Sequence, residues 1–335
     1  MKGKIEKYQL KFLKPGGTSR GVLYEKDTWF IRLLEGDKQG IGECNMFRGL
    51  SIDDRPDFEL TLQNAVDEVI DGTYSPAVYR NWPSITFGIE QAMLNLQHAQ
   101  QEIYFPSAFT ENQAGIRING LIWMADKSGM LEQIKQKLDL GFTCLKLKIG
   151  TDWPTEHGIL QSIRAQFDAN QLEIRVDANG AFDFETAEKV LQQLAELKIH
   201  SIEQPIKAGQ WEQMAALCRS TPCPIALDEE LIPLRDLQTR KAALANISPK
   251  YIILKPALVG GFKDCDFWIN LAEENAVGWW ITSALESNVG LSAIAQYTFT
   301  KNPTMPQGLG TGQLFHNNTP SGLYLEGEML YMKPI

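Results

Sequence analysis

Five charged residues stand along the second half of this 335-residue chain, each closing an apolar run: Lys148 in CLKLKIG, Asp177 in IRVDANG, Glu203 in SIEQP, Asp228 in PIALDEE and Lys255 in YIILKPA. They are 29, 26, 25 and 27 residues apart. That is about the length of one strand-plus-helix unit, since eight such units make a barrel of about 250 residues. A charge at each strand end points into one shared mouth. Three carboxylates between two lysines describe a metal site flanked by candidate bases. Asp177, Glu203 and Asp228 suit Mg2+, a hard ion that takes about six oxygens and keeps some of its water; Mn2+ is the natural substitute. No histidine or cysteine falls at these positions, which disfavours zinc.

Lys146 and Lys148 are two apart on one strand and share a face, while Leu145 and Leu147 take the other. Lysines are almost never fully buried unless paired, and the acidic trio supplies partners for both and for Lys255. A lysine must be neutral to act as a base, although its reference pKa is about 10.4. Neighbouring ammonium groups and a metal lower that value, and carboxylates raise it. The sequence leaves this balance open. It does say that proton transfer from a carboxylate-bearing substrate to a lysine keeps such a site close to neutral, the condition that eases loss of a weakly acidic proton.

The elements that must hold these residues are readable from periodicity. Residues 1–45 are rich in β-formers, with Tyr8–Phe12, Thr28–Leu33 and Gly40–Cys44 as strands and Glu35-Gly36-Asp37 as a turn. A helix opening at Pro56 carries Phe58, Leu62, Ala65, Val66 and Val69 on one stripe, and a second runs from about Ser84, its N-cap, to Glu102. From Gly115 on, candidate strands at 116–122, 144–149, 173–178, 200–204, 224–228, 251–255, 278–283 and 305–309 alternate with helical patterns. This predicts an α/β chain: an α+β capping domain over 1–112, a modified (β/α) TIM-type barrel over 113–312, and a return of 313–335 onto the cap.

Composition bounds the function. The chain is 44% hydrophobic and carries net charge −9, from 32 basic and 41 acidic side chains. Without a basic cluster it is not built for nucleic acid or an anionic membrane surface. No apolar stretch approaches the roughly 20 residues of a membrane span, and the start lacks the apolar core of a secretion signal. The five cysteines form no C-x-x-C pair, as expected of reduced thiols in a cytoplasmic enzyme. The partner these features suggest is a small carboxylate substrate; self-association into a homo-oligomer is left open.

The same residues resemble the enolase superfamily, whose shared step is metal-assisted removal of a proton α to a carboxylate with a Lys or His base. The K-x-K at 146–148 with Lys255 across the mouth is similar to the muconate-lactonizing subgroup. Mandelate-racemase relatives would place a histidine near the seventh strand, where this chain has Ile281-Thr282-Ser283-Ala284. Within the subgroup, Ile118–Trp123, Ser283–Gly290 and Gly308–Gly312 look like the corresponding stretches of lyases of menaquinone biosynthesis. The resemblance implies syn dehydration of 2-succinyl-6-hydroxy-2,4-cyclohexadiene-1-carboxylate, with Lys148 as base and Lys255 as a cationic stabiliser. It also implies metal ligands at Asp177, Glu203 and Asp228, support from Lys146, Asn179 and Glu229, and substrate contacts at Arg48, Ser283, Glu286 and Ser287. The alternative is a dipeptide epimerase or N-acylamino acid racemase of the same superfamily. Those epimerases usually carry Asp-x-Asp near the eighth strand, where this chain has Gly308-Leu309-Gly310.

Overall fold

The computed structural model describes residues 1–18, 21–98 and 102–333. The chain opens with an antiparallel meander, β1 (Lys2–Thr18), β2 (Gly21–Glu35) and β3 (Lys38–Cys44), in that spatial order. The turn at Glu35-Gly36-Asp37 works because Gly36 takes φ +59, which costs glycine little. Two helices pack on the sheet, α1 (Phe58–Asp71) and α2 (Pro83–His98). The stripe Phe58, Leu62, Ala65, Val66 and Val69 is buried as its spacing requires, each large side chain contributing about 1.5–3 kcal/mol. The sequence places the second helix start at Ser84, but Ser84 lies inside it, and its N–H and hydroxyl bond Asp53 instead. Part of that helix's expected C-terminal end, 99–101, falls outside the described residues. A Cβ at Gly42 would stand 1.9 Å from the carbonyl of Gly88, so glycine is required where β3 crosses α2.

The barrel follows. After β4 (Ile116–Arg117) come β5 (Gly120–Ile122), α3 (Lys127–Asp139), β6 (Cys144–Lys148), α4 (Trp153–Arg164), β7 (Glu173–Asp177) and α5 (Phe184–Glu196). The alternation continues through β8 (Ser201–Glu203), α6 (Trp211–Ser220), β9 (Ile225–Leu227), α7 (Leu237–Ile247) and β10 (Tyr251–Leu254). It ends with α8 (Pro256–Val259), α9 (Gly261–Glu274), β11 (Gly278–Ile281) and α10 (Asn288–Thr300). Strands β5 to β11 form one parallel sheet in chain order. Their outward residues, among them Leu145, Leu147, Ile174, Val176, Ile202 and Ile252, are fully buried against the helices. The helices begin where side-chain acceptors fall: Asp126, Asp152, Asp183 and Asp236 each accept from a backbone N–H three residues on, a cap worth about 1 kcal/mol.

The expected eighth strand, 305–309, is not a continuous strand. Pro306 has no N–H to give a ladder. The segment closes the ring through single bridges, Ile118 to Gln307 and Thr282 to Gly308. The expected first strand, 116–122, is divided, since Ile116–Arg117 pairs away from the barrel. The tail differs too. Residues near Phe315 do meet β1, with Leu13 N–H on Leu314 O and His316 N–H on Lys11 O. Beyond them, β12 (Leu323–Glu326) and β13 (Met329–Met332) form a hairpin on β4, at the barrel's own edge. Among the described residues no helix is long and apolar enough to cross a membrane. All five cysteines are free, and all but the half-buried Cys218 are buried.

Candidate active site

Strand register brings the five charges together. Lys148 pairs with Asp177 and Asp177 with Glu203 across β6, β7 and β8, while Asp228 and Lys255 follow the last residues of β9 and β10. Their side chains point inward because their neighbours of opposite parity are the apolar residues under the helices. Two of the acids stand before left-handed residues, Asn179 (φ +47) and Gln204 (φ +42), which turn the chain sharply off the strand ends. A cavity of about 320 Å3 lies above them. Lys148 and Lys255 both line it, as do Lys146 and Asn179.

The polar contacts are short and shared. Lys148 Nζ donates to Asp177 Oδ2 at 2.5 Å and to Asn179 Oδ1 at 2.9 Å. Lys146 Nζ reaches Glu203 Oε2 at 2.5 Å and Asp177 Oδ2 at 2.9 Å. Lys255 Nζ pairs with Asp228 and stands 3.8 Å from Glu203 Oε1. Asn179 spans the site, its Nδ2 donating to Glu229 Oε1 at 3.0 Å and its backbone N–H to Asp177 Oδ1.

Environment drives the lysines apart. Burial pushes the pKa of Lys148 down, and Lys146 and Lys255 add to this against the pull of Asp177. Burial acts the same way on Lys146 and Lys255, but two close carboxylates outweigh it on each, so both are raised. The surroundings thus separate one lysine from the other two, lowering Lys148 while raising Lys146 and Lys255. Among the acids, burial and the neighbouring Asp177 lift Glu203 to about 8. Burial raises Asp177 as well, but Lys146, Lys148 and Lys255 more than reverse it and leave it well below the usual carboxylate range.

No group of three His, Cys, Asp or Glu side chains among the described residues already has the arrangement of a metal cage; these acids turn to lysines instead. The donor set nevertheless fits a hard divalent cation. Glu203 Oε1 is buried without a hydrogen-bond partner among the described residues, the three acids come from consecutive strands, and a cation between them would offset the burial and the neighbouring charge that raise Glu203.

The expected substrate contacts separate. Arg48 sits on the cavity rim, bonded to Asp54 at 2.7 Å and half-exposed. Ser283 lines the cavity, but its hydroxyl donates to Glu286 Oε2 at 2.5 Å. Glu286 and Ser287 are fully buried and do not line the cavity. Glu286 accepts from Asn45 Nδ2 and the Ala284 N–H, and Ser287 caps α10 and bonds Glu43. Their contacts join the loop after β11 to Asn45 and Glu43 of the cap rather than facing the cavity, which differs from the sequence reading. That reading passed over Gln204, whose Oε1 accepts from the backbone N–H groups of Asp228 and Glu230 and so fixes the third acid. Its place beside Glu203 was the available signal. It also gave no role to Asn119, Leu121 and Trp123, on and beside β5, which all line the cavity.

A family model for enolase C-terminal domain-like proteins matches residues 129–323. The o-succinylbenzoate synthase of Desulfotalea psychrophila is 45% identical, with 96% of each chain covered. The crystal structure of MenC from the same organism superposes with TM-score 0.85 at 41% identity over 99% of both chains. A dipeptide epimerase from Enterococcus faecalis, solved with Mg and L-Leu-L-Tyr, shares the fold at TM-score 0.83 and 19% identity, covering 99% of this chain and 96% of that one. By these matches the chain belongs to the enolase superfamily and, within it, to the o-succinylbenzoate synthase family.

Proposed function

We propose that the chain converts 2-succinyl-6-hydroxy-2,4-cyclohexadiene-1-carboxylate to 2-succinylbenzoate and water. The observation that carries this reading is the confrontation of Lys148 and Lys255 across one cavity, beside three acids from neighbouring strands, in a chain 45% identical to an o-succinylbenzoate synthase. Asp177, Glu203 and Asp228 are the residues that would hold Mg2+. Bound there, the ion supplies positive charge to the ring carboxylate and makes the proton at C1 more acidic.

This chain's own side chains then have distinct tasks. Neutral Lys148 takes the C1 proton, and the electron pair moves into the ring and the carboxylate. Lys255, held cationic by Asp228 and Glu203, faces the negative charge that develops. Lys148 returns its proton to the C6 hydroxyl on the same face, the C6–O bond breaks, and water leaves. Lys146 keeps positive charge beside Lys148, and Asn179 fixes the Lys148 ammonium when it forms.

The direct test is an absorbance assay of ring aromatisation with the cyclohexadiene carboxylate, with Mg2+ and with EDTA. Turnover that stops on chelation and returns with Mg2+ is the expected result. Failure to aromatise, with deuterium exchange into either enantiomer of an N-succinylamino acid, would transfer the chain to the racemase reading.

A further inference from the structure

Of the three acids at the mouth, two are fixed by the sheet and one is not. Asp177 and Glu203 belong to β7 and β8 and pair with each other in the ladder. Asp228 follows the last residue of β9, and its backbone has left the strand, at φ −125 and ψ −81. A buried backbone N–H needs a partner. With the ladder ended, that of Asp228 takes a side chain instead, Gln204 Oε1 at 3.2 Å.

The carboxamide of Gln204 is fully buried and fully used. Oε1 also accepts from the Glu230 N–H at 3.2 Å, and Nε2 donates to Ile206 O at 2.9 Å and to Glu230 Oε2 at 3.3 Å. Two acceptances and two donations are all that a primary amide offers, so the side chain has one orientation. Its main chain ties the neighbouring strand ends. The N–H donates to Ala226 O at 2.9 Å, and the carbonyl accepts at 2.7 Å from the N–H of Gly180, in the loop after Asp177. One residue, directly after Glu203, thereby joins the ends of β7, β8 and β9. Gln204 does not line the cavity, so its effect on the reaction passes through the acids.

Rigidity at this point has a chemical consequence. Mg2+ requires a near-ideal octahedron of oxygens at about 2.0–2.1 Å, whereas Ca2+ accepts irregular shells at about 2.3–2.6 Å. Acids able to spread would suit Ca2+, and acids held in place can refuse it. We propose that Gln204 is a positioning residue that fixes the Asp228 main chain against Glu203 and so sets the preference of the three acids for Mg2+ over Ca2+. This rests on the metal-site reading above and adds the residue that gives the site its selectivity.

The test is calorimetric titration of the full-length protein with Mg2+ and, separately, with Ca2+. Gln204→Met, close in length but without the amide, should weaken Mg2+ about tenfold, as changes around a metal's direct ligands do, and Ca2+ by less than about threefold. Gln204→Asn suits the left-handed backbone at this position (φ +42) but is too short to hold both N–H groups. It should shift the ratio the same way, and it serves if Gln204→Met does not fold. Gln204→Glu retains the accepting oxygen; its added charge strengthens both ions together, so the ratio of the two affinities should stay near the wild-type value. Equal weakening of the two ions in Gln204→Met or Gln204→Asn, or an unchanged ratio there, would overturn the assignment. So would a ratio that falls as far in Gln204→Glu, since the bond to Asp228 is then not the cause. A wild-type protein that binds no Mg2+ would instead remove the metal site on which the assignment stands.

Discussion

At the barrel mouth, Asp177, Glu203 and Asp228 share three lysines, and Glu203 Oε1 accepts no hydrogen bond among the described residues, with Lys255 Nζ 3.8 Å away. At the seam between cap and barrel, Glu43 and Glu286 are as deeply buried, but their oxygens are filled. Glu43 accepts from Thr28 Oγ1, the Ser287 N–H and hydroxyl, and the Gly290 N–H. Glu286 accepts from Ser283, the Ala284 N–H and Asn45. Lys26 stands near both, its pKa lowered by burial against the pull of these two acids. Buried charge is therefore a poor marker of chemistry in this protein. What sets the mouth apart from these two seam acids is one carboxylate oxygen, Glu203 Oε1, with no hydrogen bond among the described residues, beside lysines whose environments pull in opposite directions.

The largest effect should come from the mouth. Lys148→Ala should lower kcat by roughly 10³-fold or more, the upper range for a lost general base, while calorimetric titration finds Mg2+ affinity unchanged. Wild-type turnover in that variant would remove Lys148 as the base. Asp228→Asn should act differently and weaken Mg2+ by at least roughly tenfold, since even changes around a metal's direct ligands cost that much. An unaltered titration would contradict its assignment as a ligand.

The seam should respond in stability. Glu286→Ala strands Asn45, Ser283 and the Ala284 N–H in the interior and should cost about 3 kcal/mol in urea denaturation. Glu286→Gln should cost only about 1 kcal/mol, because its amide oxygen still accepts from the Ser283 hydroxyl and the Ala284 N–H. If Glu286→Ala abolished turnover without loss of stability, the line drawn between seam and mouth would fail.

The two regions also differ in how far the sequence discloses them. The mouth is local: each charge ends its own apolar run, so parity and spacing place it without knowledge of the rest of the fold. The helix starts are local for the same reason, with an acceptor three residues before the N–H it caps. Glu286 and Ser287 sit just as near a strand end, yet their direction is decided by Asn45 and Glu43, more than 200 residues earlier in the chain. Sequence distance to a strand end cannot supply that. The tail shows the same limit, since 313–335 is expected from sequence to return onto the cap, whereas β12 and β13 join β4.

Asp53 offers the finest test, because it belongs to the seam's element yet shares the mouth's incompleteness. It lies in the loop between β3 and α1, fully buried, with Oδ2 accepting from the Ser84 N–H and hydroxyl and Oδ1 without a partner among the described residues. Burial lifts its pKa from 3.8 to about 6, against the hydrogen bonds from Ser84. The folded value lies above the unfolded one, so its contribution to stability is complete below the unfolded pKa and is lost as pH rises through 6. Asn at this position still offers an oxygen to Ser84 but does not titrate. The stability of Asp53→Asn relative to the wild type should therefore be higher at pH 8 than at pH 5, by about 1 kcal/mol. Denaturant titrations at the two pH values measure that difference directly. A difference independent of pH would mean that Asp53 is ionised throughout, its open oxygen served by a donor, and that the loop over the cavity is as fully satisfied as the seam.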